Sequence, residues 1–216
     1  MGTVPVVGDV ESSMSDALRV DRATQSQYFH RSTRLGFRWW TDDDFTLAGD
    51  LWSDPRVTRF LGGPWSDDQI KQRFAREREN HKSHQIQYWP IFLLATADHV
   101  GCCGLKPYDI GKFPEHVRRE VANTDARAFV LELGFHLRES HWGQGYAEEA
   151  AQAVIRYAFT EIDPAPSALF AGHHPENTAS RRVLQNLGFQ YSHDEHFPPS
   201  GLMHRGYVLK PEGFIG

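Results

Sequence analysis

A short turn with two glycines, Gly143 and Gly145, separates a predicted strand from a predicted helix. The first amide groups of a helix have no partner inside the helix, and the helix dipole adds a partial positive charge there. A turn that leads directly into a helix is therefore a potential site for an anion such as a phosphate. Glycines also occur in any tight turn, so other residues must identify the anion.

Two common phosphate-binding loops are excluded by the residues around this turn. A dinucleotide-binding loop has a third glycine, near Glu148 in this chain, and an acidic residue after the next strand, where this chain has His173-His174. A nucleotide P-loop contains Gly-Lys-Ser or Gly-Lys-Thr, and neither triplet occurs. What remains is a short turn before an alanine-rich helix. We interpret Glu148 and Glu149 as complementing the dipole of that helix.

The strand before the turn carries a carboxylate that can act as a general base. Alternation places Leu131, Leu133 and Phe135 on one face of the sheet, and Glu132 and His136 on the other. Glu132 is thus predicted to point into a groove, where it can accept a proton from a nucleophile. The alternative is a buried carboxylate that is paired with an arginine or a backbone amide.

The twelve histidines raise the question of a metal site. The densest groups are His173-His174, His81-Lys-Ser-His84 and His193-Asp-Glu-His196. None has the His-x-x-x-His spacing with a catalytic glutamate, and no cysteine supports them. We therefore expect no metal. We interpret residues 193–196 as part of a loop beside the groove.

The elements that must position these residues form one α/β domain with a mixed sheet. Residues 1–30 are polar and lack a clear period, so we expect a tail that is poorly ordered or holds a short helix. Residues 31–212 form the domain. Its predicted order is a strand, two helices, three strands, a helix, a strand, a helix and two strands. Residues 109–126 are charged and contain glycine and proline, which predicts an exposed connection.

Composition excludes several classes of function. A net charge of −5 and the lack of a basic run argue against binding to nucleic acid. We find neither an apolar run long enough to span a membrane nor a signal peptide. The two cysteines, Cys102 and Cys103, point to opposite faces of a strand and are expected to be reduced. The sequence therefore predicts a cytoplasmic protein without nucleic-acid or membrane partners.

Several segments, in the same order along the chain, resemble the GNAT N-acetyltransferases, in the branch named for RimJ and RimL. The turn Trp142-Gly-Gln-Gly-Tyr-Ala-Glu-Glu-Ala150 is similar to the pyrophosphate loop of that family, with Trp142 in a place commonly held by Gln or Arg. The resemblance covers roughly residues 32–210 and implies a mostly antiparallel sheet with splayed middle strands and helices on both faces. The other matching segments are Arg34-Leu-Gly-Phe-Arg-Trp39, Thr41-Asp-Asp-Asp44, Leu51-Trp-Ser-Asp-Pro55, Phe60-Leu-Gly-Gly63, Val100-Gly-Cys-Cys-Gly-Leu105, Glu132-Leu-Gly-Phe135 and residues 175–189.

The resemblance implies acetyl-coenzyme A as co-substrate, bound where the middle strands separate. Asn177 would contact the pantetheine arm, and Ser180 would protonate the leaving sulfur. From the residues alone, Asn177 is a helix cap and Ser180 a solvated helix serine. Many GNAT enzymes have a tyrosine acid where this chain has Leu184, so we do not expect a tyrosine mechanism. The other implied coenzyme contacts are Leu133, Phe135, Trp142, Gly143, Gln144, Gly145, Tyr146, Ala147 and Arg181.

The acceptor of the acetyl group is predicted to be a primary amine, either a protein or peptide N-terminus or a small amine. We expect direct attack in a ternary complex, with Glu132 as base, in a monomer or homodimer. By the resemblance, the loop that contains Phe60 and Trp65 lines the acceptor site, together with His136; the alternative is a surface loop anchored by two rings. A second hypothesis is a non-catalytic acyl-CoA-binding sensor or assembly module on the same fold.

Overall fold

A computed structural model describes residues 27–122 and 128–214. The predicted tail lies almost wholly outside these residues, and its boundary stays a prediction. The described strands are β1 (His30–Arg31), β2 (Leu35–Phe37), β3 (Tyr88–Leu93), β4 (His99–Tyr108), β5 (Val130–Leu137), β6 (Ala168–His173), β7 (Gln190–Phe197) and β8 (Leu202–Leu209). The described α-helices are α1 (Phe45–Trp52), α2 (Asp67–His84), α3 (Glu115–Ala122), α4 (Tyr146–Thr160) and α5 (Thr178–Asn186).

The strands form one sheet in the order β1-β2-β3-β4-β5-β6-β8-β7. Within the described sheet, β5 and β6 run parallel and the other neighbours run antiparallel. The parallel pairing begins at Val130 and Ala168 and ends at Glu132 and Phe170, although β5 continues to Leu137. The two middle strands therefore separate after Glu132, which confirms the predicted mixed and splayed sheet.

Helices cover both faces of the sheet, as predicted. On one face α4 packs against β4 and β5 through small and branched side chains that are fully buried, namely Ala150, Ala151, Val154, Ile155 and Ala158. The small alanines allow the helix to approach the sheet closely. On the opposite face, α1 and α2 bury the aromatic cluster of Trp40, Trp52, Phe74 and Tyr88.

The prediction of an exposed connection over residues 109–126 is correct only in part for its described residues: most of them are exposed, but the segment contains α3. Val117 and Val121 lie four residues apart on one face of that helix, and both are buried. They pack with Phe113 against Tyr108 and Phe170, on the same side of the sheet as α1 and α2. Two valines in a mostly charged stretch form a narrow apolar stripe, which the charges conceal in the sequence.

The interpretation of residues 193–196 as a loop is also wrong, because β7 continues to Phe197 and pairs with β8 throughout. The strand is polar and still alternates: His193 is buried, whereas Asp194 is exposed and pairs with Arg205 across the hairpin. A register shift between Tyr191 and His193 interrupts the regular pattern. The strand therefore lacks the clear alternation of apolar residues that sequence reasoning requires.

Candidate active site

The opening between β5 and β6 exposes backbone groups of β5. Leu105 donates its amide to the carbonyl of Gln87 (3.0 Å), so the backbone of Leu105 faces β3. Leu133 is directly opposite Leu105 in the antiparallel ladder. Because the backbone of Leu105 is turned away from β5, the two residues form a non-hydrogen-bonded pair, and the N–H and C=O groups of Leu133 are turned away from β4. The backbone groups of Leu133 therefore face β6, and by alternation those of Phe135 do so as well. Leu133 lies at the apex of the opening and Phe135 beyond it.

The glycine turn follows β5 and is stabilised by its own side chains. The Trp142 indole donates to the carbonyl of Leu137 (2.8 Å), and the Gln144 amide donates to the carbonyl of Ser140 (3.1 Å). Gly143 and Gly145 have φ of +72° and +80°, a backbone conformation that favours glycine. Gly145 is the N-cap of α4 and has no side chain to cap the helix. The first amides of α4 are thereby left available to an anion.

The two glutamates after the turn have partners from other elements, which corrects their interpretation as complements of the helix dipole alone. Glu148 accepts a hydrogen bond from the Asn186 side chain (2.9 Å) on α5. Glu149 accepts from the Ser32 hydroxyl (2.7 Å) and forms an ion pair with Arg34 (2.6 Å). These partners are distant in sequence, so the local pattern could not reveal them.

The residues between β6 and α5 lie beside the opening. Asn177 is the N-cap of α5, and its side-chain oxygen accepts from the amide of Ser180 (3.0 Å). The nitrogen of the Asn177 side chain takes no part in this cap. Both residues are partly exposed, and Arg181 is exposed. Leu184 points into the main core, so no tyrosine acid occupies its place.

Glu132 lies on the face of the sheet opposite α4, and two side chains hold it. The Tyr88 hydroxyl donates to Oε1 of Glu132 (3.2 Å), and Nζ of Lys106 lies 3.0 Å from the same oxygen. Neither is the arginine or backbone amide considered from the sequence. Both contacts use Oε1, which leaves Oε2 outside this pair of interactions. The Glu132 side chain is 23% exposed, so solvent and small molecules can reach it.

Tyr88 reaches Glu132 because Gly134 has no side chain. A Cβ at Gly134 would lie 2.1 Å from the Tyr88 hydroxyl oxygen. Further along the same face, the Tyr108 hydroxyl donates to Glu195 (2.7 Å). Burial is the main reason why the pKa of Tyr108 is raised, and the hydrogen bond with Glu195 raises it further. Sequence reasoning missed Tyr88 and Lys106 as partners of Glu132, and the pair of Tyr108 and Glu195 on the same face. The even spacing of Lys106 and Tyr108 along β4 was a detectable signal, but the register with β5 was not.

His136 is on the same face, next to the α1–α2 cluster. The Trp52 indole donates to Nδ1 of His136 (3.1 Å). Burial, together with the cations of Arg73 and Lys106, lowers the pKa of His136 to about 3, so the ring is neutral at physiological pH. Since Nδ1 accepts, Nε2 carries the proton.

The structure brings two of the three expected acceptor-site residues together. Trp65 packs against Trp52, which contacts His136. Phe60 instead stacks on His174, at the end of β6 (centroids 4.9 Å apart). The loop that carries both rings touches the β7–β8 turn, because a Cβ at Gly62 would lie 1.9 Å from the carbonyl oxygen of Pro199.

Neither a metal centre nor a membrane-spanning helix is found among the described residues. Within residues 27–122 and 128–214, no group of three or more His, Cys, Asp or Glu side chains could hold a metal ion. No helix of the described part is long and apolar enough to cross a membrane.

Comparison with known proteins identifies the family. Residues 34–190 match the family model described as "Acetyltransferase (GNAT) domain". The chain belongs to the GNAT acetyltransferases. This confirms the resemblance found in the sequence and assigns the protein to a family of acetyltransferase enzymes.

Proteins with similar sequences and solved structures of similar fold agree with the assignment of this chain to the GNAT acetyltransferases. An uncharacterized N-acetyltransferase, p20 of Bacillus licheniformis, is 30% identical over 73% of the chain and 79% of its own length. The FsC-acetyl coenzyme A-N(2)-transacetylase of Aspergillus fumigatus is 38% identical over 74% of the chain and 64% of its own length. A structure of RimL, the ribosomal L7/L12 α-N-protein acetyltransferase, in complex with coenzyme A has a TM-score of 0.64. The likeness covers 84% of this chain and 97% of RimL at 16% identity, so it shows the fold alone.

Proposed function

We propose that this protein transfers the acetyl group of acetyl-coenzyme A to a primary amine by direct attack in a ternary complex. The observation that carries the proposal is the opening between β5 and β6, which has the glycine turn at the end of β5 and Glu132 at the last paired position before the strands separate. Two relatives named as N-acetyltransferase and transacetylase support it, as does the coenzyme A held by RimL.

The residues present fit acetyl-coenzyme A. The amides of residues 143–147 would take the pyrophosphate, because the positive-φ turn leaves them unpaired at the start of α4. The backbones of Leu133 and Phe135 would hold the pantetheine arm, with the free side-chain nitrogen of Asn177 as a further donor. Trp142 and Arg181 are exposed beside these elements and available to the nucleotide. The coenzyme supplies an acetyl thioester that an amine can attack.

Two side chains would move protons. A protonated amine cannot attack, and Oε2 of Glu132 is the acceptor for its proton. Lys106 and Tyr88 hold the carboxylate through Oε1, which fixes the direction of the second oxygen. The Ser180 hydroxyl, partly exposed on the first turn of α5, would donate its proton to the leaving thiolate.

The acceptor amine would bind on the face of the sheet that carries Glu132. His136 is neutral and carries its proton on Nε2, so it can donate a hydrogen bond to a carbonyl or hydroxyl of the acceptor. Trp65 and Phe60 would form apolar walls at the two sides of this face. The proposal includes both a peptide N-terminus and a small amine as acceptors.

Initial-velocity kinetics test the proposal. Thiol release is measured while acetyl-coenzyme A and each of a panel of amines, polyamines, aminoglycosides and N-terminal peptides are varied. We expect intersecting double-reciprocal lines, as a ternary complex requires. Parallel lines would indicate a covalent acetyl-enzyme and contradict direct attack. Binding of acetyl-coenzyme A without amine-dependent thiol release would favour the non-catalytic module.

A further inference from the structure

Arg34 bridges the β1–β2 connection, the glycine turn and the first turn of α4 through three hydrogen bonds and a ring contact. Its amide and its Nε donate to the two oxygens of Glu149 (2.7 Å and 2.6 Å), and its Nη1 donates to the carbonyl of Gln144 (3.0 Å). Its guanidinium also lies over the ring of Tyr146, 4.4 Å from the centroid. The Ser32 hydroxyl donates to the same glutamate (2.7 Å). We call Ser32, Arg34 and Glu149 the turn clamp.

The clamp determines the orientation of one peptide group in the turn. In a trans peptide the carbonyl and the following N–H point in opposite directions. Because Arg34 holds the carbonyl oxygen of Gln144, the N–H of Gly145 must point away from Arg34. The structure combines this orientation with a φ of +80° at Gly145, a conformation that favours glycine. The clamp thus stabilises the turn in the conformation that directs the Gly145 amide outward.

The charge of Arg34 is largely neutralised within the clamp. Glu149 faces the guanidinium at 2.6 Å. Burial alone would raise the pKa of Glu149, but hydrogen bonds from Ser32 and Arg34 outweigh it and lower the pKa. The pair is therefore ionised and close to neutral overall at physiological pH. Its effect on an anion outside the turn comes from geometry more than from net positive charge.

We propose that Arg34 is a positioning residue that pre-organises the glycine turn for a pyrophosphate, with Glu149 and Ser32 as its partners. The inference rests on the proposed binding of acetyl-coenzyme A at the turn. Arg34 acts through the peptide between Gln144 and Gly145 and takes no part in the proton transfers. Its loss should therefore weaken binding of the coenzyme and leave turnover at saturation unchanged.

The test compares two acetyl donors in Arg34→Gln, Glu149→Gln and Arg118→Gln. S-acetylpantetheine has no pyrophosphate, whereas acetyl-coenzyme A has one. For Arg34→Gln we expect KM and Kd for acetyl-coenzyme A to rise about 10- to 30-fold, with kcat and the KM for S-acetylpantetheine unchanged. Arg118, exposed on α3, is the matched control and should change neither donor's constants.

Glu149→Gln separates positioning from direct charge attraction. It keeps the cation of Arg34 but removes the negative charge of its partner and one of the two oxygens that accept from Ser32 and Arg34. Positioning predicts weaker binding of acetyl-coenzyme A, by about the same factor as Arg34→Gln, and a double variant that is no worse than either single variant. Direct attraction predicts equal or tighter binding, because a negative charge has been removed, and that result would overturn the inference.

Two further measurements distinguish a clamp without effect from a wrong assignment of the turn. Ser32→Ala removes the hydroxyl that donates to Glu149 and accepts from the amide of Leu35 (3.2 Å). It should raise the Kd for acetyl-coenzyme A about two- to fourfold while the variant stays folded by thermal denaturation. An unchanged Kd in folded Ser32→Ala and Glu149→Gln would contradict the clamp. If the wild-type protein binds coenzyme A no more tightly than pantetheine, the assignment of the turn itself fails, which is a different result from a clamp without effect.

Discussion

The two sides of the opening are built in different ways. The proposed coenzyme side would use backbone groups, namely those of the turn at residues 142–147 and the outward-facing groups of Leu133 and Phe135. The proposed acceptor side would use side chains from separate strands, with Glu132 held by Tyr88 on β3 and Lys106 on β4. Backbone contacts depend little on side-chain identity, whereas substitutions on β3, β4 or β5 would change the acceptor contacts. The coenzyme side can therefore stay constant while substitutions on the acceptor side change which amine is bound.

The largest effect is expected where the coenzyme side is disrupted. Gly145→Asp introduces a carboxylate into the anion site and a side chain at φ +80°. Binding of acetyl-coenzyme A should fall by at least about 100-fold, measured by calorimetry or thermal stabilisation. The matched control is Gly201→Asp, which places the same side chain at φ +68° in the β7–β8 turn. Stabilisation by coenzyme retained in Gly145→Asp would refute the assignment of the turn.

On the acceptor side, Glu132→Gln should remove the base and spare the coenzyme. We expect kcat to fall about 100-fold or more, with the Kd for acetyl-coenzyme A within about twofold of wild type and a flattened acidic limb in the pH–rate profile. Glu195→Gln is the comparison, since that carboxylate contacts Tyr108 on the same face, and its effect should be much smaller. An unchanged profile in Glu132→Gln would reassign the base to water or another group.

Ser180 is the proposed acid, on the first turn of α5. Ser180→Ala should lower kcat about tenfold and leave the Kd for acetyl-coenzyme A nearly unchanged, because the cap of α5 uses the backbone amide of Ser180 and not its hydroxyl. Thr178→Ala, on the same turn of α5, serves as the control. Wild-type turnover in Ser180→Ala would remove this hydroxyl as the acid.

The smallest effect is expected from disrupting the ion pair between Arg38 and Asp44, which lies in the scaffold of the acceptor side. Burial would raise the pKa of Asp44, but hydrogen bonds from Arg38 and Thr41 outweigh it and lower the pKa. A carboxyl with a lower pKa in the folded protein stabilises the fold above its unfolded pKa of about 3.9, and this contribution is lost as the pH falls further. Asp44→Asn should therefore lower the free energy of unfolding by about 1 kcal/mol at pH 7 and by less near pH 3.

The control for that prediction is Asp43→Asn, which changes an exposed neighbour in the same turn. Urea denaturation at several pH values measures both variants. Equal losses for the two, or a loss for Asp44→Asn that does not depend on pH, would contradict the role of the Arg38 pair. Neither substitution should alter the Kd for acetyl-coenzyme A, which separates the scaffold from both sides of the opening.

The sequence predicted the coenzyme side better than the acceptor side for a physical reason. A turn and a helix start are local features, so Gly143, Gly145 and Asn177 could be placed on their elements from neighbouring residues alone. The contact of Tyr88 and Lys106 with Glu132 depends on the register between strands, which a single sequence does not encode locally. Two elements escaped the sequence for a different reason: β7 is polar and lacks apolar alternation, and α3 has only two buried valines among charged residues.

Product analysis by mass spectrometry tests the central claim most directly. The amine panel is incubated with acetyl-coenzyme A and wild-type protein, Glu132→Gln or Gly145→Asp, and binding of coenzyme is measured in parallel. We expect wild-type protein to N-acetylate at least one class of amine. Glu132→Gln should bind coenzyme without acetylating, and Gly145→Asp should do neither. Acetylation by Glu132→Gln at the wild-type rate, or tight coenzyme binding by wild-type protein without any acetylated product, would contradict the account.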